Sequence, residues 1–391
     1  MRHMKILVAK LLYRIGYYLP VKSKRIVFES FLGKQYSCNP KAIYEYMVKH
    51  HPEYQMYWSV DARFMDNFAS QELRMIRRFT LKWIWIMATS KYWFTNSRMP
   101  MRIKKTKKTI YVQTWHGTPL KKLAFDMENV HIRNATTDKY KDDFYRESRR
   151  WDYLLSPNRY STDIFKRAFR FDQTIIEQGY PRNDILTTGN NTEYIGAIKE
   201  KLGLPVDKKV ILYAPTWRDN EFHETGGYKF DLPIDLTLLK QKYGETHVIL
   251  LRMHYLVAEN FDLSTYAGFA YDFSNGIDIT DLYLVSDLLI TDYSSVFFDY
   301  GILGRPILFY MYDIETYRDV LRGFYFDIET EAPGPIVKDM TELVTAIDRF
   351  IMDGIYLDYQ SNYEKFYHKY CALEKGNAAK QVVENILRES L

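Results

Sequence analysis

The sequence has little cysteine and no long apolar run. Only Cys38 and Cys371 occur among its 391 residues, too few and too far apart in sequence for a disulfide framework or a metal-ligand pattern. This usage is typical of a reducing, cytosolic environment. No uninterrupted apolar stretch approaches the roughly 20 residues that a helix needs to cross a bilayer. The sequence therefore predicts neither a disulfide-rich extracellular domain nor a transmembrane helix.

Several common catalytic and binding motifs are also missing. There is no GxGxxG or GxxxxGKS/T motif, which argues against a dinucleotide oxidoreductase or a P-loop enzyme. No GxSxG elbow is present. The nine histidines show no HxH or HxxxH spacing, so we expect no metal site and no cofactor. No basic face carries a nucleic-acid-binding motif, so we expect no nucleic-acid partner.

Basic residues are concentrated at the start of the chain. Residues 1–25 contain no acid and seven cations, which are Arg2, Lys5, Lys10, Arg14, Lys22, Lys24 and Arg25. The apolar residues there follow the spacing of one helical face, and they are Met4, Leu7, Val8, Leu11, Leu12, Ile15, Tyr18 and Leu19. The pattern predicts an amphipathic helix over residues 1–24 that associates with an anionic membrane surface. The alternative is a helix that packs on its own domain.

The rest of the chain alternates strand-like and helix-like patterns in two series. The first series predicts strands at Arg25–Ser30, Tyr54–Val60, Lys91–Asn96, Thr109–Trp115, Trp151–Ser156 and Ile175–Gln178. The second predicts strands at Val210–Thr216, His247–Met253, Phe269–Phe273, Asp287–Thr291 and Pro306–Tyr310. Strands that alternate with helices form parallel sheets. We therefore expect an α/β fold of two Rossmann-type, doubly wound domains that face a cleft.

The same patterns divide the chain into four parts. Residues 1–24 form the basic helix, residues 25–188 a first Rossmann-like domain and residues 189–355 a second one. The polar segment Leu186–Tyr194 is the predicted linker. Helices in residues 356–391 are long enough to pack back across the hinge.

Polar clusters follow four of the predicted strands, where open parallel sheets bind their ligands. The clusters are WHGTP from Trp115, APTWR from Ala214, LRMHY from Leu251 and ITDYSS from Ile290. Asp292 or Ser294 can cap the helix that follows the last cluster, and a helix N-terminus attracts phosphate. Arg218, Arg252 and His254 would complete a cationic pocket for a diphosphate. The alternative is an ordinary helix cap.

His116 stands at the end of a strand, between Trp115 and Gly117. A histidine with a pKa near its usual 6.5 can accept a hydroxyl proton at neutral pH. Gly117 would let a substrate approach the backbone, and Lys121 and Lys122 favour phosphate-rich material. The alternative is a histidine that only makes structural hydrogen bonds.

Taken together, these clusters resemble one known family. WHGTPLKK, APTWRD, RMHY and TDYSSVFFDY, together with RGFYFD at Arg322–Asp327 and PGPI at Pro333–Ile336, are similar in sequence and order to the CDP-glycerol glycerophosphotransferases of teichoic acid synthesis. The resemblance extends from about Phe28 to Leu387. It implies a GT-B-like fold, and it implies peripheral attachment to the cytoplasmic face of the membrane.

The resemblance also implies partners and site residues. The donor would be CDP-glycerol, and the acceptor a saccharide linked to undecaprenyl diphosphate; a homo-oligomer is compatible with it. The essential pair maps to His116 and His254. Substrate-binding residues would be Gly117, Thr118, Pro119, Arg182, Pro215, Thr216, Arg252, Ser294, Ser295 and Asp299. The first domain would serve the acceptor and the second would bind CDP-glycerol.

The expected reaction transfers glycerol phosphate to an acceptor hydroxyl and releases CMP. His116 would deprotonate the hydroxyl, while Arg252, His254 and the Ser294–Ser295 helix end would stabilise the diphosphate charge. The chain has no match to the extra N-terminal region of the longer polymerases, which favours priming or short extension. Three alternatives remain: a CDP-ribitol transferase or long-chain polymerase, a GT-B sugar transferase, and a non-catalytic polyanion- or membrane-binding module.

Overall fold

A computed structural model describes residues 18–69, 71–128, 136–216, 232–253, 262–314, 323–325, 327–354 and 356–388. The chain divides into two compact units. Unit 1 comprises Met1–His116, Leu123–Asp184 and Leu373–Leu391, and unit 2 comprises Gly117–Lys122 and Ile185–Ala372. The helix predicted over residues 1–24 falls mostly on residues 1–17, which lie outside the described part. Its predicted C-terminal limit is wrong, because residues 22–24 belong to the first strand. Within the described part, none of the helices has both the length and the apolar character to cross a bilayer.

Each unit is built on a parallel sheet. The strands of unit 1 are β1 Lys22–Glu29, β2 Gln55–Val60, β3 Met75–Arg77, β4 Ser90–Thr95, β5 Ile110–Gln113, β6 Tyr153–Ser156 and β7 Thr174–Glu177. Those of unit 2 are β8 Lys209–Ala214, β9 His247–Leu251, β10 Ala270–Asp272, β11 Leu288–Thr291, β12 Ile307–Tyr310 and β13 Ile336–Val337. The sheet orders are β3-β2-β1-β4-β5-β6-β7 and β10-β9-β8-β11-β12-β13.

Helices connect the strands. In chain order they are α1 Cys38–His50, α2 Leu81–Thr89, α3 Thr137–Ser148, α4 Arg159–Ala168, α5 Asp184–Thr188, α6 Thr192–Lys201, α7 Leu236–Tyr243, α8 Ile279–Val285, α9 Val296–Tyr300, α10 Ile328–Glu331, α11 Met340–Asp353, α12 Gln360–Phe366 and α13 Ala378–Arg388. The strand order reverses between β1 and β4 in unit 1, and between β8 and β11 in unit 2. In doubly wound sheets, ligands bind at such a switch point.

The predicted α/β fold with two parallel sheets is confirmed, and the predicted strands are all present to within a few residues. Strands β3 and β13 were not predicted, because runs of three and two residues are too short to show a pattern. Helix α3 was also missed. Its sequence TDKYKDDFYRES is mostly polar and buries only Phe144, Glu147 and Ser148, so it carries almost no apolar stripe.

The C-terminal helix completes the core of unit 1. Val382, Val383 and Ile386 of α13 pack in one apolar cluster with Ile43 and Met47 of α1. The first turn of α13 is capped by a distant side chain, because the Asp184 carboxylate accepts hydrogen bonds from the backbone N–H groups of residues 378 and 379 at 2.8 and 2.9 Å. The last residues of the chain therefore stabilise unit 1.

A tight backbone crossing joins the last two strands of unit 2. A Cβ atom added to Gly334 would lie 1.8 Å from the carbonyl oxygen of Ile307, at the start of β12. Next to this crossing, the Phe309 N–H donates to the Pro335 carbonyl at 2.9 Å, which aligns β13 with β12. Glycine is therefore required at position 334, in the PGPI segment.

We expect Gly334→Ala to destabilise the protein by roughly 1–3 kcal/mol or more, because the backbone must move to admit the methyl group. Thermal unfolding of both variants would test this against Gly196→Ala as the control. Gly196 lies in α6 with nothing within 4 Å of an added Cβ. That change should raise stability by up to about 1 kcal/mol through helix propensity. Equal melting temperatures for the two variants would show that position 334 does not require glycine.

Candidate functional site

His116 lies at the carboxyl edge of the first sheet, three residues after β5 ends at Gln113. The turn between them is tight. Trp115 has a φ of +49°, and its backbone N–H donates to the Gln113 side-chain oxygen at 3.0 Å. A left-handed conformation is unusual for a bulky residue and is found where surrounding contacts enforce it. The sequence thus sets the direction of His116 through the residue before it.

The ring of His116 is held in one tautomer. Its Nδ1 lies 2.8 Å from the backbone carbonyl oxygen of Asn96, at the end of β4. A carbonyl oxygen only accepts, so Nδ1 must carry the proton and Nε2 keeps its lone pair. Trp115 stacks on the ring with centroids 4.7 Å apart, and Phe31 contacts it edge-on at 5.7 Å. This geometry presents Nε2 as a proton acceptor.

The surroundings also keep His116 neutral. The residue is exposed to solvent, yet loss of hydration around the ring lowers its pKa from 6.5 to about 4. The hydrogen bond to Asn96 opposes this shift, and the nearby Arg182 guanidinium adds to it. Whether the pKa is 6.5 or about 4, most of the imidazole is unprotonated at pH 7.

Asn39 and Arg182 fix the backbone around His116. The Asn39 side-chain amide donates to the carbonyls of Thr114 and Trp115 at 3.1 and 3.2 Å. Its oxygen accepts from the backbone N–H of Arg182 at 3.1 Å. The Arg182 guanidinium in turn donates to the His116 carbonyl at 2.7 Å. Arg182, predicted as a substrate contact, is therefore placed directly beside His116.

Two residues that order the backbone around His116 were not predicted from the sequence. Asn39 is fully buried and connects parts of the chain about 75 and 143 residues away, which no local pattern reveals. The Asn96 side-chain oxygen accepts from the Phe31 N–H at 2.8 Å, and its backbone carbonyl accepts from the His116 ring. Asn96 directly follows β4, so this single residue orders the turns after both neighbouring strands, β1 and β5. Asn96 ends a predicted strand, and that position was the available signal.

The switch point of unit 2 is tied together by a buried carboxylate. Asp292, which is 2% exposed, accepts from the Thr216 backbone N–H at 2.7 Å. The Thr291 hydroxyl donates to the Ala214 carbonyl at 2.7 Å. The ends of β8 and β11, including the predicted site residues Pro215 and Thr216, therefore form one edge.

The predicted helix cap is wrong in detail. Helix α9 begins at Val296 with Ser295 as its N-cap, and the Ser295 side chain makes no capping hydrogen bond. The Asp292 carboxylate accepts from the Thr216 backbone N–H. Because α9 has only five residues, few peptide dipoles align at its start. If the Ser294–Ser295 segment binds phosphate, its hydroxyl and backbone N–H donors therefore contribute more than a helix dipole.

Gly117 brings the WHGTP motif against these serines within unit 2. A Cβ atom on Gly117 would lie 3.1 Å from the Ser295 hydroxyl oxygen, so the two residues are in close contact. The following residues Thr118 and Pro119 are buried. The Lys122 N–H then donates to the Gly323 carbonyl at 2.9 Å. This hydrogen bond joins the WHGTPLKK and RGFYFD segments, which are far apart in the sequence.

Arg252 lies after β9, one strand away from Thr216. Its N–H donates to the Tyr213 carbonyl at 2.9 Å, and its guanidinium donates to the Phe273 carbonyl. Burial lowers the pKa of this guanidinium, and nearby acidic groups, Asp278 foremost, oppose the shift. An arginine remains charged at neutral pH even so. Arg252 therefore places a partly dehydrated cation at the carboxyl edge of the second sheet.

Other predicted site residues fall elsewhere. His254 and Arg218 lie outside the described residues. Asp299 is in α9 and 5% exposed. The structure thus brings His116 together with Arg182 in unit 1, and Gly117 with Ser295 in unit 2. Arg252 lies at the same sheet edge as Thr216.

Two doubly wound parallel sheets define a two-unit α/β protein, a fold class whose members bind ligands at the switch points of their sheets. The sequence narrows this class further. The chain belongs to the CDP-glycerol:poly(glycerophosphate) glycerophosphotransferase family, whose pattern matches residues 11–388. This confirms the family resemblance found in the motifs.

Similar proteins share this assignment. The chain is 56% identical over 379 residues to the teichoic acid poly(glycerol phosphate) polymerase of Bacillus subtilis strain 168, covering 97% of this chain but spanning only about half, 50%, of that protein. It is 52% identical to the same-named polymerase of Bacillus spizizenii strain W23, covering 99% of this chain and 98% of that protein. A structure of the wall teichoic acid polymerase TagF, a histidine variant soaked with CDPG, matches with a TM-score of 0.92 and 45% identity over 100% of this chain and 96% of that chain.

Proposed function

We propose that this protein transfers glycerol phosphate from CDP-glycerol to a hydroxyl of a membrane lipid-linked acceptor in wall teichoic acid synthesis, releasing CMP. The observation that carries the proposal is the Nδ1 hydrogen bond of His116 to the Asn96 carbonyl, which leaves Nε2 to accept a proton. Family membership supplies the substrate class. The similarity to TagF, whose variant was soaked with CDPG, supports a GT-B-like arrangement and the donor.

The proposed step is an in-line displacement. His116 Nε2 takes the proton of the acceptor hydroxyl, and the oxygen attacks the β-phosphorus of CDP-glycerol. The bond between that phosphorus and the bridging oxygen breaks, and CMP leaves with the electron pair. Transfer of this kind depends on positioning and on stabilisation of phosphate charge.

Unit 2 would hold the donor. Arg252 would supply a cation at the carboxyl edge, while the Thr216 hydroxyl and the N–H and hydroxyl groups of Ser294 and Ser295 would supply hydrogen-bond donors there. His254 and Asp299 are further proposed contacts that rest on the family motif. The chain passes from unit 1 to unit 2 between His116 and Gly117. The proposed base and the first donor-site residue are thus consecutive in the chain.

Repeated transfer is favoured over a single priming step. The expectation of priming rested on the length of the chain, but the Bacillus spizizenii polymerase is covered over 98% of its length at 52% identity. The glycerol-phosphate primase of the same organism is only 30% identical, over 71% of this chain. A glycerol donor is favoured by the same comparison, since the poly(ribitol-phosphate) polymerase is 27% identical.

Attachment to the cytoplasmic face of the membrane is part of the proposal. The support is the basic, amphipathic pattern of residues 1–24 and the lipid-linked nature of the proposed acceptor. The domain limits 25–188, 189–355 and 356–391 also remain predictions.

The test of the proposal is a product analysis. The protein is incubated with CDP-glycerol and a lipid-linked disaccharide that already carries one glycerol phosphate, and mass spectrometry counts the added units. Repeated transfer predicts a ladder of products, whereas a single addition would indicate priming. CDP-ribitol is assayed in parallel, and turnover equal to that with CDP-glycerol would favour the ribitol alternative.

The pH dependence of transfer tests the state of His116. Because its pKa is lowered to about 4, we expect kcat/KM to change little between pH 7.5 and 5.5. A base with the ordinary pKa of 6.5 would lose about tenfold in kcat/KM over that range.

Arg182→Gln removes a cation that lowers the pKa of His116, so the acid limb of the pH profile should move to higher pH. Arg159→Gln, at an exposed pair with Asp163, is the control. If kcat/KM of the wild type instead falls with a midpoint near pH 6.5, the pKa of His116 is not lowered.

A further inference from the structure

A cluster of large apolar side chains is exposed on unit 1, near the carboxyl edge of its sheet. We call it the α2 surface, and it consists of Leu32, Phe79, Leu81, Trp85 and Met101. Leu81 and Trp85, one turn apart on α2, are 67% and 52% exposed, and Phe79, just before the helix, is 45% exposed. The opposite face of α2 buries Trp83, Ile84, Ile86 and Met87 in the protein.

Two arginines connect the parts of the α2 surface. The guanidinium groups of Arg78 and Arg102 lie 4.8 and 4.6 Å from the ring centroid of Phe79. Arg78 also donates to the Leu32 carbonyl at 2.8 Å. Leu32, Phe79 and the Met101–Arg102 segment are therefore neighbours in space. Phe79 itself has a φ of +64°, an unusual backbone conformation for an aromatic residue that lies on the surface.

The sequence segment that carries most of the α2 surface has charge of one sign, although Arg78 itself pairs with the buried Glu29 at 3.1 Å. Between Glu72 and Asp126 the sequence has no acidic residue and thirteen Lys or Arg residues. Arg77, Lys82 and Arg102 are exposed, and within the described part of the chain none of them forms an ion pair with a carboxylate. Exposed Trp, Phe and Leu beside cations fit the interface of an anionic bilayer, where apolar rings enter the headgroup region.

We propose that the α2 surface docks on an anionic membrane, separately from the helix predicted in residues 1–24. The occupant is lipid because the surface is mainly apolar, with large side chains that a soluble polyanion would leave exposed to water. Phe31, next to Leu32, contacts the ring of His116. Docking would therefore turn the carboxyl edge with His116 towards the membrane. This last point rests on the proposed function.

A site-specific probe tests the docking in the full-length protein. Trp85→Cys is labelled with the polarity-sensitive dye NBD, and Val206→Cys in unit 2, where Val206 is 77% exposed, is the matched control. Cys38 and Cys371 are buried, so labelling should be selective. On phosphatidylglycerol vesicles, emission from position 85 should shift to the blue and intensify, and emission from position 206 should not change. Phosphatidylcholine vesicles, or high salt, should weaken the response.

Three outcomes would overturn the proposal. The first is no response at position 85. The second is a response to soluble poly(glycerol phosphate) without vesicles, which would indicate a polymer site. The third is a response to protein concentration alone, which would indicate self-association.

Unlabelled variants give a second measurement. Leu81→Gln/Trp85→Gln should bind phosphatidylglycerol vesicles about tenfold more weakly, because about half the surface of two large side chains no longer enters the interface. Val206→Gln/Met352→Gln is the control, with apolar residues in unit 2 that are more exposed, at 77% and 74%. Equal binding of the two double variants would also contradict docking. If binding falls as expected but the wild type shows no glycerol phosphate transfer, the docking surface stands and the proposed function fails.

Discussion

His116→Ala should lower kcat by roughly 10²–10⁴-fold, the usual contribution of a positioned general base. The hydrogen bond of Nδ1 to the Asn96 carbonyl leaves Nε2 as the ring nitrogen that can take the proton of the acceptor hydroxyl. The Kd for CDP-glycerol should stay within about twofold, because a base acts on the acceptor in the transition state. Single-turnover rates and calorimetric titration of the same preparation measure both quantities.

The matched control is His50→Ala, also in unit 1, where the ring is exposed and stacks on Tyr46. It should leave kcat unchanged. If His116→Ala instead loses donor binding and keeps its single-turnover rate at saturating donor, His116 is a donor contact and not the base.

Arg252→Ala should weaken CDP-glycerol binding by roughly 10–100-fold, the size expected for a lost hydrogen bond to a charged group. Arg252 is a partly buried cation at the carboxyl edge, so water would screen its attraction to a diphosphate less than at an exposed site. Arg252→Lys should recover part of the affinity, because the charge remains while the forked geometry is lost. Calorimetric titration with CDP-glycerol provides the measurement.

Arg349→Ala is the control for this change. Arg349 lies in the same unit, is exposed and pairs with Asp358, so donor affinity should not change. Equal donor affinity in Arg252→Ala and wild type would remove Arg252 from the donor site.

The architecture could be predicted because its signals are local. A strand such as β8, with the sequence KVILYA, is apolar along nearly its whole length, as expected for a parallel strand covered on both faces. Strand β13 and helix α3 lack such patterns, since the first has two residues and the second is mostly polar. They are held by contacts with the rest of their units.

The chemistry of the site was predictable only in part. His116 and Arg252 follow strong strands, so their location at the carboxyl edges followed from the pattern. The tautomer of His116 depends on a carbonyl 20 residues away, and its backbone depends on Asn39, 76 residues from Trp115. The contact of Asp292 with the Thr216 N–H joins residues 76 apart. Such long-range hydrogen bonds leave no spacing in the sequence.

The central claim is that glycerol phosphate moves from CDP-glycerol to the acceptor with His116 as the base. Its most direct test follows the nucleotide product and labelled glycerol together, using CDP-glycerol labelled in glycerol and a lipid-linked acceptor. The account predicts one CMP released for each glycerol phosphate incorporated, and loss of both in His116→Ala. Release of CDP, which indicates cleavage at the glycerol carbon or a glycosyl-type transfer, would contradict it, as would incorporation that persists at the wild-type rate in the variant.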